Sequence, residues 1–441
     1  MHEITSTAEK PLAGYLVGLR PSGMAEREAR EHLDELEQLA FTFGVPVVGS
    51  EVVPWREPHA TYLVGSGKAK EIKMAATAAD ADVIIFDDDL SPSQQRNWEK
   101  LTGLAVIDRR EVILGIFGDR AQTREARLQV GLARAEYSLP RLTRAWTHLE
   151  RQRGGGSFRG GAGEAQIEVD RRIVRLQITR LKAELKHVRQ VRATQRKARL
   201  EIPLPTAALV GYTNAGKSSL LNALTGAEVL EADKLFATLD PTTRRLTLSN
   251  KQVVLLSDTV GFIRKLPHTL VAAFKATLEE AQLSTMLVHV VDASHPAVMH
   301  HRRATEDVLA ELGSKDKTTV LVLNKIDLVA PEERDEVIQR LGEGCDHVVA
   351  VSAVTGDGLE ELAAAIGELA GLSLQRVRLR IPPDRGDIVS LVHREGRVED
   401  TSYDEETTVL EAVIPRRLSK KLEQFMSASK AKEIMENSTE R

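Results

Sequence analysis

One stretch of eight residues limits what this chain can fold into more than any other. It consists of Gly211, Tyr212, Thr213, Asn214, Ala215, Gly216, Lys217 and Ser218. The apolar run 207–210 precedes it and the helix-like run 219–224 follows it, which is the setting of a phosphate-binding loop. Glycines there let backbone N–H groups point at a polyphosphate, and the helix N-terminus adds favourable partial charge. We expect Lys217 to reach the β- and γ-phosphates of a nucleotide and Ser218 to ligate Mg²⁺.

Two further motifs predict which base is bound. The first is Asn324, Lys325, Ile326 and Asp327, which follows the apolar run 320–323 at the carboxyl end of a predicted strand. Ligands bind at that end of open α/β sheets. An aspartate there accepts from the two N–H groups of guanine and repels adenine, so the wrong base is strongly rejected. The second motif is Ser352, Ala353 and the adjoining Val354, where a backbone N–H can donate to the guanine oxygen.

A fourth motif concerns the terminal phosphate. It is Asp258, Thr259, Val260 and Gly261, which follow the apolar run 253–256. The aspartate can hold Mg²⁺ through water, and the N–H of Gly261 can donate to the γ-phosphate. Four elements in this order and spacing predict a GTPase that binds GTP and GDP.

Length and composition set the outer bounds. At 441 residues the chain is too long for one ordinary domain, and its net charge of −4 with 28% charged residues is typical of a soluble protein. Cys345 is the one cysteine, which favours a reducing compartment. No apolar stretch reaches the length of a membrane span, and the first residues lack the pattern of a signal peptide. We expect a cytoplasmic monomer.

Residues 13–120 alternate strand and helix signals, within a first predicted domain of residues 1–120. The predicted strands are 15–19, 45–48, 62–64 and 83–86, and the predicted helices are 26–41 and 67–79. This alternation predicts a small α/β domain with a largely parallel sheet. Residues 65–68, Gly-Ser-Gly-Lys, lack the spacing of a phosphate loop and favour a tight turn before a helix. The three aspartates at 87–89 favour a solvated loop at a strand end over a metal site.

Residues 121–202 predict a basic coiled-coil hairpin. Five arginines (Arg124, Arg127, Arg134, Arg141 and Arg144) precede the loop 151–163, which interleaves arginine, glycine and one phenylalanine as an RNA-contacting loop can. Residues 171–200 carry eleven basic residues against one acidic residue, Glu184. Apolar residues at 174, 178, 181, 185 and 188 have coiled-coil spacing. A solvated hairpin would normally mix both signs of charge, so nucleic-acid contact is favoured.

The remaining residues form two predicted domains. Residues 203–371 predict a P-loop GTPase domain with a doubly wound sheet, and residues 372–441 predict a small α+β appendage. In the appendage, 377–381, 388–393 and 407–414 are predicted strands and 419–428 a predicted helix. The fold class is therefore α/β with an added α+β domain.

Taken together, these motifs resemble the HflX family of ribosome-associated, translation-factor-related GTPases. The resemblance rests on residues 62–68, 163–172, 211–218, 235–242 and 258–263. It implies binding to the large ribosomal subunit and its rRNA, splitting of stalled or stress-arrested ribosomes, and an rRNA-probing role for the 151–163 loop. It also implies that Ser218 and Thr238 ligate Mg²⁺. The segment around Thr238 would then join the nucleotide site, through Phe236, Ala237, Leu239 and Asp240.

Two residues bear on the chemistry of hydrolysis. Many GTPases place a water-orienting glutamine directly after the glycine that corresponds to Gly261, but this chain has Phe262 there. Hydrolysis should therefore be slow until a partner completes the site, with Lys217, Thr238 and Gly261 as the catalytic contacts. Asn214 either stabilises the loop or binds K⁺. Residues 231–243 would form a switch segment.

Two other functional classes remain open on the sequence alone. One is a GTPase that assembles ribosomal subunits without splitting ribosomes. The other is a signalling switch whose basic helix binds a protein or an anionic membrane. Salt-sensitive binding to purified large subunits would argue against the second class.

Overall fold

The computed structural model describes residues 12–142, 164–200, 204–226, 235–236, 238–239, 241–249, 252–265, 280–372, 374–404, 407–415 and 418–426. The predicted RNA-contacting loop 151–163 lies outside these ranges. The chain forms two compact units. The first unit comprises residues 1–186, 230–240 and 260–277, and the second comprises 187–229, 241–259 and 278–441. The predicted domain boundaries at 120, 202 and 371 stay predictions.

The first unit contains a parallel sheet of four strands in the order β2-β1-β3-β4. Its strands are β1 (Gly14–Pro21), β2 (Val47–Trp55), β3 (Val83–Phe86) and β4 (Ala105–Asp108). Its helices are α1 (Glu26–Phe43), α2 (Ser66–Ala78), α3 (Pro92–Thr102) and α4 (Arg109–Arg120). The predicted parallel α/β domain is confirmed. The predicted strand 62–64 is wrong, because Tyr62 and Val64 form only an isolated bridge.

Local sequence explains several ends of these elements. Ser91 and Gln94 form a capping box at the start of α3, with Pro92 in the first turn. Gly65 precedes α2 in an extended conformation, and Lys68 pairs with Glu51 at 2.8 Å. Residues 65–68 are therefore a helix start, as the turn interpretation predicted.

The aspartates at 87–89 correct a prediction. Asp87 is buried, with 3% of its surface exposed, and it pairs with Arg109 at 2.8 Å. The solvated-loop interpretation is wrong for this residue, although Asp89 is exposed. A run of three aspartates gives no signal of burial, because the arginine that compensates Asp87 lies 22 residues further along the chain.

The first unit also contains two helices of the predicted basic region, α5 (Arg124–Ser138) and the start of α6 (Glu164–Leu200). Lys182 pairs with Glu136 at 2.8 Å, and Leu185 of the predicted apolar seam is buried. Two arginines of this region support the fold instead of facing outward. Arg134 donates to the carbonyl oxygens of Leu114 and Gly115, and Arg141 is buried beside Asp108.

The second unit is built on a six-stranded sheet in the order β10-β9-β8-β5-β7-β6, with β6 alone antiparallel to its neighbour. The strands are β5 (Thr206–Gly211), β6 (Thr242–Thr247), β7 (Val253–Asp258), β8 (Met286–Asp292), β9 (Thr319–Asn324) and β10 (Val348–Ala350). The helices are α7 (Lys217–Thr225), α8 (Val298–Glu311), α9 (Arg334–Gly342) and α10 (Leu359–Leu372). Apolar side chains cover both faces of the sheet, which confirms the P-loop GTPase architecture.

A three-stranded antiparallel sheet in the order β11-β13-β12 follows α10. Its elements are β11 (Leu374–Ile381), α11 (Gly386–Glu395), β12 (Arg397–Asp404), β13 (Thr407–Pro415) and α12 (Ser419–Leu422). The predicted strand 388–393 is wrong, because this segment is helical. Ile388, Leu391 and Val392 are buried at spacings of three and four, so they line one helical face. No described helix is both long and apolar enough to cross a bilayer.

Candidate nucleotide-binding site

The loop between β5 and α7 has a backbone that only glycine tolerates at two points. A Cβ on Gly211 would lie 2.1 Å from the carbonyl oxygen of Val290 on β8. Gly216 has φ +88°, and a Cβ there would lie 2.2 Å from Nδ2 of Asn324. Asn214 also has a left-handed φ, of 59°. This curled backbone is what a loop that surrounds phosphate oxygens needs.

Lys217 is fixed by the loop that it follows. Its Nζ donates to the carbonyl oxygens of Gly211 at 3.1 Å and Tyr212 at 2.8 Å. Burial lowers the pKa of Lys217 to about 8, and the charge of Asp258 partly opposes this shift. The ammonium therefore stays mostly protonated at neutral pH and can contact phosphate.

Two oxygen-bearing side chains meet beside the loop. The Ser218 hydroxyl donates to Oδ2 of Asp258 at 2.6 Å, at the end of β7. Next to it, the Thr259 hydroxyl donates to the carbonyl oxygen of Leu209 at 2.6 Å and is fully buried. A hydroxyl and a carboxylate at this distance are hard oxygen donors of the kind that Mg²⁺ prefers, so these residues fit that ion.

Asn324 joins the phosphate loop to the two predicted base motifs. Its Nδ2 donates to the carbonyl oxygen of Ala215 at 2.9 Å, and its Oδ1 accepts from the N–H of Ala353 at 3.2 Å. The side chain is 1% exposed. Because both ends of the amide are used, it fixes the spacing between the loop and residues 352–354.

The other residues of the base motifs lie at the same edge of the sheet. Ile326 and Asp327 form a 3-10 turn directly after Lys325, which has φ 62°. Ser352 is fully buried, and its hydroxyl accepts from the N–H of Thr355, whereas Val354 is 86% exposed. The structure brings these residues together as the sequence predicted. Their contact with guanine stays a prediction.

The remaining predicted site residues belong to the first unit. Phe236, Leu239 and Val260 are buried there, with 1%, 4% and 2% of their surfaces exposed. Thr238 and Gly261 lie on the same segments, whereas Ala237 and Asp240 lie outside the described residues. The roles of Thr238 and Gly261 at the Mg²⁺ ion and the γ-phosphate stay predictions.

Sequence reasoning missed two supports of the site. Nζ of Lys325 pairs with Oδ2 of Asp292 at 2.8 Å, while Ser294 donates to the other carboxylate oxygen. The ring of Tyr212 stacks on His301 with centroids 3.8 Å apart and planes 6° apart. No local pattern in the sequence signals either support, because each one pairs residues that lie far apart along the chain.

His289 on β8 gives the second unit a pH dependence. It is 3% exposed, and its Nε2 has no hydrogen-bond partner within the described ranges. Burial, and then the charges of Arg302 and Lys217, lower its pKa to about 3. The unfolded chain, with an ordinary histidine pKa of about 6.5, then binds more protons between pH 6.5 and 3. Stability is therefore lost as the pH falls through this window.

We expect a His289→Leu variant to lose less stability on acidification than the parent. Between pH 7.5 and pH 5 the difference should be about 2 kcal/mol, since the lower limit is about 1.5 pH units below the unfolded pKa. Denaturant unfolding at the two pH values measures it. His300→Leu, at an exposed position on α8, is the matched control. An equal loss in the His289→Leu and parent proteins would contradict the assignment.

Several known proteins are similar to this chain along most of its length. GTPase HflX of Akkermansia muciniphila is 49% identical over 438 residues, which cover 97% of this chain and all of that protein. The chain belongs to the HflX family of GTPases. GTPase HflX of Escherichia coli K12 is 44% identical over 379 residues, which cover 86% of this chain and 88% of that protein. The resemblance to the HflX family is confirmed.

Four family descriptions match successive parts of the chain. Residues 30–118 match the N-terminal region and residues 120–199 the middle region of GTP-binding GTPases. Residues 206–325 match the description "50S ribosome-binding GTPase", and residues 336–435 match the HflX C-terminal domain. This member of the HflX family is therefore an enzyme that binds and hydrolyses GTP.

Proposed function

We propose that this HflX protein binds the large ribosomal subunit and uses GTP to split stalled or stress-arrested ribosomes in the cytoplasm, acting as a monomer. The match of residues 206–325 to the ribosome-binding GTPase description carries the proposal. The basic helix α6 supports it, because cations along a helix suit the phosphates of rRNA.

The exposed part of α6 offers several cations. Arg175, Arg180 and Lys182 have 60%, 81% and 57% of their side-chain surfaces exposed. They pair with Glu168, Glu184 and Glu136, so the face is less bare than its sequence suggests. Exposed ion pairs of this kind are worth about 0–1 kcal/mol, so phosphate groups can replace the glutamates.

The proposal gives each part of the site one contact with the nucleotide. The backbone of residues 211–216 surrounds the phosphates, Lys217 contacts the β- and γ-phosphates, and Asp327 reads guanine. Ser218 and Thr238 would ligate Mg²⁺, and Asp258 would hold it through water. The ion would neutralise charge that develops on the phosphates during transfer. The left-handed Asn214 is the residue that would hold K⁺.

Hydrolysis needs a group that orients the attacking water. The residue after Gly261 is Phe262, which is 1% exposed and apolar, so it cannot hydrogen-bond that water. A bound partner must therefore complete the site. The ribosome is the partner that the family description supplies.

We expect GTP turnover by the isolated protein to be slow and to rise at least about tenfold with large ribosomal subunits, equivalent to about 1.4 kcal/mol of barrier. Phosphate release at saturating GTP, with and without purified subunits, measures this. Small subunits serve as the control. Fast turnover that subunits leave unchanged would show that Phe262 does not slow hydrolysis.

Replacing Na⁺ by K⁺ in the same assay tests whether Asn214 binds K⁺.

Neutralising the exposed cations of α6 should weaken subunit binding. We expect a variant with glutamine at Arg175, Arg180, Lys182 and Lys186 to flatten the plot of log affinity against log salt by about 2–4 units, because each lost phosphate contact removes nearly one. Glutamine at Arg27, Arg30, Arg56 and Lys70, all exposed in the same unit, is the charge-matched control. Equal slopes for the two variants would place the RNA contact elsewhere.

Splitting itself is tested with intact ribosomes. Light scattering should fall when the protein and GTP are added, and should stay constant with GDP. A variant that lacks residues 154–161 should still pellet with subunits but should no longer split ribosomes. Binding to subunits without any scattering change would favour the assembly role. Salt-insensitive or absent subunit binding would favour a signalling role.

A further inference from the structure

The first unit binds a segment of the GTPase at the place where open α/β sheets bind ligands. In the sheet order β2-β1-β3-β4, the chain runs from β1 to β2 on one side, and the connection from β2 to β3 then crosses to the other side of β1. The crevice at the carboxyl ends of β1 and β3 is therefore the topological switch point. Asp87 directly follows β3 at this point and is buried.

Two basic residues that follow Gly261 in the chain bind the carboxylate of Asp87. The Arg264 guanidinium donates to both carboxylate oxygens, at 3.2 and 2.9 Å, and Nζ of Lys265 donates to Oδ2 at 3.0 Å. Lys265 also pairs with Asp88. These contacts lie within one compact unit.

The segment around Thr238 is held by the same unit. Phe236 packs edge-on against Phe117 of α4, with ring centroids 4.5 Å apart. Next to it, the N–H of Leu235 donates to the hydroxyl of Thr42 on α1 at 3.3 Å. The first unit therefore holds the segment of Thr238, which is proposed to ligate Mg²⁺. It also holds the segment of Gly261, which is proposed to contact the γ-phosphate.

The backbone at both contacts is in a disfavoured conformation. Phe236 has φ 56° and Lys265 has φ 54°. Bulky residues other than glycine rarely adopt such values, and they persist where surrounding contacts impose them. The contacts with the N-terminal sheet and its helices therefore decide where these segments rest.

If Arg264 and Lys265 leave Asp87, one cation, Arg109, still contacts it. Arg109 is the first residue of α4 and is 1% exposed. It contacts both Asp87 and Glu35. Burial raises the pKa of Asp87, but the charges of Arg109, Arg264 and Lys265 hold it well below its usual range. The neighbouring His32 is neutral at pH 7, because burial and then the charge of Arg264 lower its pKa to about 4. The cluster is thus a charge contact between the end of β3 and the segment after Gly261.

We propose that Asp87 is a positioning residue of the GTPase, which acts through Arg264 and Lys265 to couple the segment after Gly261 to the N-terminal sheet. This coupling rests on the proposed function. It would let ribosome binding at α6 affect GTP hydrolysis, because α5 and the start of α6 belong to the same unit as Asp87 and Arg264. Coupling of this kind is reciprocal for binding, so nucleotide state must also alter the cluster.

The main test replaces the basic pair. In the Arg264→Gln, Lys265→Gln double variant, stimulation of GTP turnover by large subunits should fall from at least about tenfold to below about threefold, a change of at least about 0.7 kcal/mol. Subunit pelleting and GDP affinity should stay within about twofold. Arg110→Gln is the matched control, because Arg110 pairs with Asp89 of the same acidic run but lies on α4. Full stimulation of the double variant would overturn the proposal.

A second measurement needs no ribosome. Backbone hydrogen exchange at residues 83–89 should differ between the GDP-bound protein and the protein bound to a non-hydrolysable GTP analogue. The difference should persist in Arg110→Gln and disappear in the double variant and in Asp87→Asn, which keeps the Arg109–Glu35 pair. Identical exchange in the two nucleotide states of the parent would overturn the coupling. A clear difference without any stimulation by subunits would support the coupling and refute the proposed ribosome partner.

Discussion

An Asp327→Asn variant is expected to bind xanthine nucleotides more tightly than guanine nucleotides. The carboxylate would accept from two N–H groups of guanine, and a hydrogen bond to a charged group is worth about 1.5–3 kcal/mol. Loss of one such bond should lower GTP affinity by about 10–150-fold. An amide offers a donor where xanthine carries a carbonyl, so XTP affinity should exceed GTP affinity by at least about tenfold.

The structure indicates that Asp327→Asn tests the side-chain carboxylate of Asp327 alone. Asp327 lies in a turn whose backbone is set by the N–H of Ile326, which donates to the carbonyl oxygen of Val351 at 3.2 Å. Lys325 is held by Asp292. Neither contact involves the Asp327 side chain. Competition binding with GTP, XTP and ATP measures the preference, with Asp335→Asn on the exposed side of α9 as the control. Unchanged preference in both proteins would mean that another group reads the base.

Patterns of residues that are close together in the sequence predicted much of the fold. The apolar runs of β5, β8 and β9 are buried on both faces of a parallel sheet, and such strands are continuous in sequence. The segment 388–393 misled because its residues are mostly β-branched or long aliphatic, in a nearly uninterrupted run. A run so short does not distinguish strand from helix, and packing against β11 and β13 decided it.

The candidate site also contains parts that the sequence predicts and parts that it does not. The loop and the base motifs were predictable because each is contiguous in sequence and each requires particular residue types. Asp292 and His301 were not, because their role depends on a partner far along the chain. Asp87 is the clearest case. Its burial depends on Arg109 and on Arg264, which is 177 residues away, and no local pattern contains that pairing.

Substituting Gly216 should strongly weaken nucleotide binding through the geometry of the loop. In Gly216→Ala, the left-handed φ of 88° costs an L-residue about 1–2 kcal/mol. The new Cβ would also lie 2.2 Å from Nδ2 of Asn324, so this amide must give up its bonds to Ala215 and Ala353. Lost bonds to buried groups cost about 1–3 kcal/mol each. Together these effects predict a loss of GDP affinity of at least about 10²-fold.

Gly226→Ala separates strain from steric contact. Gly226 ends the same helix, α7, with φ 63°, but a Cβ added there would meet no described atom within 4 Å. This variant should lose about 1–2 kcal/mol of stability and keep GDP affinity within about threefold. Titration calorimetry with GDP and thermal unfolding of both variants give the comparison. If the two variants bind GDP equally well, the approach of Gly216 to Asn324 has no part in binding. If only Gly216→Ala fails while both melt alike, the amide of Asn324 is the element that holds the phosphate loop in register with the base motifs.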